Sequence, residues 1–345
     1  MDRPWLVPAG LSALVAPFFL SSAFAEAQEV QERRARPVRT PVATVRSDSW
    51  QDAGVVPTGG IQLEIGESST SARPIDGIRD NSFLIEEAYN QEAGVVQHIW
   101  TARFGADHRG AADARTWDLS FTQEWPVFSQ DHQLSYTVPY SFVDEDAEHA
   151  GGLGDILLHY RYQLFLDEPG SAAFAPRVSL ILPSGQEERG FGIGVLGYQF
   201  QLPVSKTLTD RLYLNVNAGL TFFPDAALTF SNRRHSEAYD LLSFNLGGSV
   251  IYAVTDTFHL LLEAVWNSDE TLLERESAGG RRLLADRRRI DDVVLSPGLR
   301  WAMNLPGDMQ IVPGLAFPIG LTDDSTDYGA FFYLSVEHSF VPQKR

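Results

Sequence analysis

The stretch "LYLNVNAGLTF" (212–222) decides how this chain folds. Leu212, Leu214, Val216, Ala218, Leu220 and Phe222 are apolar, and Tyr213, Asn215, Asn217, Gly219 and Thr221 between them are polar or small. A period of two marks a β-strand with one apolar and one polar face. In a soluble sandwich the apolar face is buried in a core. In a membrane barrel it faces lipid, and Asn215 and Asn217 line the interior. One strand cannot separate these readings, but its neighbours can.

The same alternation recurs along the chain. It runs through "WDLSFTQEW" (117–125), "QLSYTVPYSF" (133–142), "DILLHYRYQL" (155–164), "FAPRVSLIL" (174–182), "FHLLLEAVWN" (258–267), "DVVLSPGLRW" (292–301) and the segment ending at Phe340. Roughly twelve segments are expected, centred near residues 102, 120, 137, 159, 178, 199, 217, 247, 262, 297, 314 and 335; bacterial barrels have an even number of strands. The connections "FSQDHQ", "LDEPGSA", "SKTLTD", "TDT" and "NLPGD" are short and rich in turn residues. They roughly alternate with longer ones such as "PDAALTFSNRRHSEA" and "SDETLLERESAGGRRLLADRRR". Short periplasmic turns alternating with longer external loops are the arrangement of an outer-membrane barrel. The expected fold is therefore all-β: a transmembrane, antiparallel, up-and-down β-barrel of about twelve strands.

The two faces agree with this. Trp125, Phe142, Phe222, Phe258, Trp266 and Trp301 lie on apolar faces near strand ends, as in interfacial girdles. The opposite faces carry Asp118, Glu124, Arg161, Arg177, Glu263, Arg300 and Glu337. Together with Asn215 and Asn217 these are the candidate lumen-lining residues. They form either a selectivity ladder or a structural ion-pair network. A lumen of about twelve strands is far narrower than a porin's, which favours the network.

The first 25 residues carry Arg3, an apolar stretch from Trp5 to Leu20 and an Ala23-Phe24-Ala25 site, the parts of a secretory signal peptide. Residues 26–57 read as a disordered periplasmic linker, rich in charge and proline. Residues 58–97 form a lead-in or plug segment on the periplasmic side. Within it, Asn81 or Ser82 is placed to cap a short helix with Glu86 and Glu87 in its first turn. The barrel is expected over 98–341. No later stretch offers the roughly 18 unbroken apolar residues of a membrane helix.

The formal net charge of −18 argues against nucleic acid as a partner. The absence of cysteine excludes disulfides, thiolate metal sites and a cysteine nucleophile. The eight histidines show no metal-ligand spacing, and no cofactor is expected. Gly151, Gly152 and Gly154 are not followed by a helix or a Lys-Ser/Thr pair, so they are no phosphate loop, and "GFGIGVLG" (190–197) reads as a flexible strand start. His338 and His132 lack a convincing Ser and Asn or Asp partner, which argues against an outer-membrane lipid hydrolase.

The order of segments resembles the bacterial outer-membrane transporters linked to the meta-cleavage pathway of phenol degradation. The resemblance rests on "GGLGDILLHYRYQL" (151–164), "LPSG" (182–185), "LPVSKTL" (202–208), "LNVNAGL" (214–220), Glu263 in "LLLEAVW" and "SPGLRW" (296–301), and spans about 98–340. Ser184 stands where that family often has Thr. The resemblance implies a barrel that moves aromatic or other hydrophobic compounds, and it supplies no site residue. The expected function is an outer-membrane channel for small solutes; a structural or adhesive barrel is the alternative. The partners this implies are outer-membrane lipid, a small-molecule solute and the barrel-assembly machinery. Lipopolysaccharide is a further one; Arg281, Arg282 and Arg287–Arg289 stand in the longest external loop, where a solvated loop is favoured over contact with its phosphates.

Overall fold

The structure is a computed structural model that describes residues 77–78, 82–107, 114–145, 148–227, 229–230, 233–234, 238–276 and 283–340. The expected signal peptide and linker lie outside the described residues, as do Arg281 and Arg282.

The alternating segments form one closed antiparallel barrel of twelve strands among the described residues. They are β1 (Val95–Asp107), β2 (Ala114–Val127), β3 (Ser129–Glu145), β4 (Glu148–Leu153 continued by Ile156–Tyr162), β5 (Ala173–Phe174 continued by Arg177–Leu182) and β6 (Gly197–Thr209). The other half is β7 (Leu212–Ala226), β8 (Tyr239–Thr255), β9 (Phe258–Glu276), β10 (Leu283–Trp301), β11 (Met309–Ala316 continued by Ile319–Gly320) and β12 (Tyr328–Ser339). Each strand pairs with the next, and β12 returns to β1 from Val95↔Ser339 to Ala106↔Tyr328. Closure leaves no unpaired sheet edge, which a strand surrounded by hydrocarbon cannot tolerate. All twelve expected segment centres fall within these strands.

The faces are those of a transmembrane barrel. Val216, Phe200, Leu202, Leu260, Leu262 and Leu334 are exposed on the outside, while Asn215, Asn217, Gln199, Gln201, Glu263 and Ser335 are buried inside. Phe142, Trp266 and Trp301 also point outward. One end of the barrel carries the turns at Phe128, 163–172, 210–211, 256–257 and 306–308, the last after the short strand Met303–Leu305 that continues β10, and both Val95 and Ser339 lie there. The other carries the loops, and these two ends are called the turn end and the loop end below.

Two stretches depart from the sequence reading. The expected short helix is absent: residues 82–92 contain no helix, and β1 begins at Val95 rather than at 98. Residues 82–92 follow an irregular path inside the barrel, where lumen side chains take up the N–H and C=O groups that a helix would pair internally. "GFGIGVLG" is not a strand start either, since β6 begins only at Gly197. It belongs to loop 183–196, which folds into the loop end of the barrel. Asp155 holds that loop, accepting the N–H of Gly185 on Oδ1 and of Ile193 on Oδ2, each at 2.8 Å. Phe191 is fully buried in it, against Gly152, where a Cβ would stand 2.3 Å from the ring.

Candidate functional site

The inward residues form rows, because neighbouring strands set them in register. One row runs Ser205, Asn215, Ser249, Glu263 and Ser296 from β6 to β10. Another runs Arg161, Arg177 and Gln201 across β4 to β6, and the row toward the loop end from it runs His159, Ser179, Gln199 and Thr221. A further step in that direction brings Leu157 opposite Ile181. The lumen wall on this side thus grades from guanidinium through hydroxyl, imidazole and amide to aliphatic.

Residues 82–92 lie across these rows and are bonded to them on all sides. Glu263 accepts the backbone N–H groups of Phe83 (3.1 Å), Leu84 (3.0 Å) and Ile85 (3.3 Å) on Oε1. Arg161 is 2% exposed in its side chain and donates to Glu86 Oε1, the Glu87 carbonyl, the Tyr89 carbonyl and Asn90 Oδ1. Arg177 Nε reaches both oxygens of Glu86, at 2.9 and 2.8 Å. Gln163 brackets the chain, donating to the Ala88 carbonyl and accepting from the Asn90 N–H. Ser205 accepts the Ala88 N–H, Gln133 accepts the Gln91 N–H, and Ser82 Oγ lies 2.8 Å from Ser249 Oγ. Lumen side chains thus take up the N–H groups of Phe83, Leu84, Ile85, Ala88, Asn90 and Gln91 and the carbonyls of Glu87, Ala88 and Tyr89, which fixes one path through the barrel.

Apolar contacts fix the plug's other face. The Phe83 ring lies 5.6 Å from that of Phe331 and 5.2 Å from that of Tyr333, measured between centroids. It fills space left by Gly314, where a Cβ would come within 2.3 Å of it. Toward the loop end the plug gives way to a cavity of about 180 Å³ in the lumen, lined by both polar and apolar side chains. Beyond it Leu157, Ile181, Phe223, Ala226, Leu241 and Leu272 cluster with Ile193 of the inward loop.

The structure places the sequence-predicted residues as follows. Arg161, Arg177 and Glu263 bind the plug directly. Arg300 is fully buried, with Nη2 at 3.7 Å from Glu87 Oε1 and 3.5 Å from His259 Nδ1. Glu124 accepts from Gln133 at 2.7 Å and lies 3.8 Å from Arg161. Asn215 Nδ2 lies 3.4 Å from Ser82 Oγ, and Asn217 borders the cavity. Glu337 is buried opposite Gln97 and Gln310 in the strand register. Asp118 accepts from Ser141 at 2.8 Å and takes no part in the plug contacts. Glu86, Asn90, Gln91, Gln133, Gln163 and Ser205 also hold the plug and give no site signal in the sequence. The neutral ones carry no charge signature, and Glu86 reads locally as a helix-terminus residue. His338 stacks on His98 on the outer face, their Nε2 atoms 3.3 Å apart, far from the lumen.

No protein-family model matches the sequence, and no curated protein matches it. Solved structures do. The COG4313 outer membrane channel from Pseudomonas putida F1 superposes with a TM-score of 0.54 at 12% identity, covering 73% of this chain and 98% of that one. The NanC porin gives a TM-score of 0.39 at 10% identity, over 70% of this chain and 98% of that one. A FadL homologue from Pseudomonas aeruginosa gives 0.33 at 10%, over 72% and 90%. The first of these likenesses establishes the fold: a transmembrane outer-membrane-type barrel.

Proposed function

We propose that this protein is a channel of the bacterial outer membrane for small solutes, and that residues 82–92 are its gate. The observation that carries the reading is a lumen lined largely by polar side chains and occupied by a segment that those side chains hold through hydrogen bonds, with apolar contacts on its other face. A barrel built only as a scaffold gains nothing from an interior of Gln, Asn, Ser and Arg; an apolar filling would hold it as well. The turn end faces the periplasm, so the plug enters from the periplasmic side and the loops face outward, against lipopolysaccharide. The apolar cluster of Leu157, Ile181, Phe223 and Leu241 at the loop end offers the first contact to a hydrophobic or aromatic solute. The segment resemblance to the phenol-pathway transporters and the likeness to a Pseudomonas putida channel both support this reading. The residues in the lumen bind and exclude; none is assigned a catalytic role.

The test is single-channel recording in planar bilayers, together with solute uptake into liposomes, for the whole protein and for a form lacking 82–92. The deletion is expected to raise conductance and uptake. Silence of both forms toward ions and toward every solute tried would end the channel reading.

A further inference from the structure

His98 and His338 stand 240 positions apart, so no sequence spacing links them, yet closure of the barrel brings them together. They belong to β1 and β12, the first and last strands. His98 is opposite Val336 and His338 opposite Val96, which makes the two histidines diagonal neighbours across the seam. Elsewhere the outward face of this seam is apolar, with Trp100, Phe332 and Leu334 exposed on it. Both histidines are half-buried and lie near the turn end, His338 one residue before the end of β12. Polar and amphipathic groups stand at the same height. Gln123, opposite His98, accepts from the Tyr136 hydroxyl at 3.2 Å, and Tyr136 meets Trp125 edge-on at 6.1 Å. This is the make-up of a membrane–water interface, where water reaches the two rings.

The geometry of the pair is that of two ligands on one metal ion. Their Nε2 atoms are 3.3 Å apart. A tetrahedral zinc ion with Zn–N of about 2.05 Å sets two nitrogen ligands about 3.3 Å from each other. His338 Nδ1 lies 3.3 Å from the Ser339 carbonyl. A carbonyl only accepts, so Nδ1 carries the proton and Nε2 the lone pair, the tautomer that a metal takes. His98 is held by ring stacking on Trp100 and Phe121, at 6.1 and 6.2 Å between centroids. Without metal, His98 Nε2–H donates to His338. With metal, that proton moves to His98 Nδ1 and the ring stays neutral. Among the described residues no third histidine or carboxylate joins the pair. The other two positions of the tetrahedron therefore go to water.

We infer that His98 and His338 form a two-histidine site for a zinc-class divalent ion on the outer wall of the barrel, and that the ion clips the first strand to the last. Imidazole suits zinc, whereas magnesium and calcium prefer oxygen ligands. The site is separate from the lumen and stands whether or not the plug gates.

The experiment is isothermal titration of zinc chloride into the full chain, carrying no histidine tag, in dodecyl maltoside with excess magnesium. Magnesium occupies the carboxylates of this acidic chain and leaves imidazoles free. Saturable zinc binding is expected. His98→Gln and His338→Gln should each weaken it at least about tenfold, in protein that still migrates as a folded barrel on unboiled gels. Zinc should also raise the temperature at which the parent loses that folded migration and leave both variants unmoved, because an ion held by both strands stabilises the closed barrel. No binding by the parent overturns the inference, and so does undiminished binding by the folded variants. Binding that leaves the parent's unfolding temperature unchanged overturns the clip. If neither variant folds, diethyl pyrocarbonate labelling of the unaltered protein, mapped by mass spectrometry, decides. Zinc should then shield His98 and His338 and leave the exposed His149 reactive. Equal labelling of His98 and His338 with and without zinc ends the idea.

Discussion

The carboxyl group of Glu263 grips Leu84 through both oxygens, which lie 3.0 and 3.2 Å from its backbone nitrogen. The same Oε1 also takes the N–H groups of Phe83 and Ile85. Glu263 is fully buried on β9, so no solvent replaces these bonds when it is removed. Glu263→Ala should weaken plug seating by about 2 kcal/mol, because it orphans backbone donors as well as deleting bonds. That corresponds to an increase on the order of thirtyfold in the ratio of open to closed channels. Open probability in planar bilayers checks this; a variant that gates like the parent would show that the grip is incidental.

The contact between Phe83 and Gly314 gives a prediction that leaves the plug's hydrogen bonds untouched. A methyl at residue 314 would sit 2.3 Å from the Phe83 ring. Gly314→Ala should therefore displace Phe83 from its contacts with Phe331 and Tyr333 and raise open probability. Adding Phe83→Ala removes the clash, so the double variant should open less than the sum of the single effects. A coupling of about 0.5 kcal/mol or more between the two changes is expected. Strict additivity would mean that the ring does not occupy the space Gly314 leaves.

At the turn end, Asp167 ties the 163–172 turn to β6. Lys206 Nζ donates to Oδ1 at 2.6 Å, and the Thr207 N–H donates to Oδ2 at 2.7 Å. Burial works to raise the Asp167 carboxyl, but the bonds from Lys206 and Thr207 and the Lys206 charge outweigh it and hold it below its ordinary value. A carboxyl depressed in the folded state stabilises above its unfolded pKa of about 3.9, and that stability disappears as pH falls through the folded value. Apparent Tm should therefore drop below about pH 4, and Asp167→Asn should flatten that part of the curve. At pH 7 the variant should lose up to about 1 kcal/mol, since Lys206 is partly exposed and solvent screens the pair. Parallel Tm curves for parent and variant between pH 7 and pH 3 would count against it.

The barrel was legible because its physics is repetitive. Alternation in "LYLNVNAGLTF" means little alone, but a dozen such segments joined by short and long connections admit one closed sheet, and Leu214 with Val216 then faces outward while Asn215 and Asn217 face inward. Charged lumen residues stood out for the same reason: Arg161 and Glu263 interrupt strands where a soluble core would have Val or Leu. The plug was not legible. Its path through 82–92 is set largely by side chains distant in the chain, such as Arg161 for Tyr89, 72 positions away, and Glu263 for Leu84, 179 positions away. Locally, Glu86, Glu87 and Ala88 carry helical propensity, and tertiary hydrogen bonds override it. The inward turn of loop 183–196 was hidden similarly, because it depends on Asp155 capturing Gly185 and Ile193.

A covalent lock gives the most direct test of gating. Ser82 on the plug and Ser249 on β8 place their Oγ atoms 2.8 Å apart, and both side chains are buried. The chain has no cysteine of its own, so Ser82→Cys with Ser249→Cys introduces one pair and no competing partner. A sulfur–sulfur bond of about 2.05 Å requires only a small closing movement from this separation. Oxidation should fix residues 82–92 across the row of Ser205, Asn215, Ser249 and Glu263, and channel openings should cease. Reduction with dithiothreitol should return openings to the parent's frequency within the same bilayer. Each single cysteine variant should gate like the parent under both conditions. If the oxidised pair, its bond confirmed by mass spectrometry, conducts as the reduced protein does, then solute passes without displacing this segment and residues 82–92 are a fixed part of the wall.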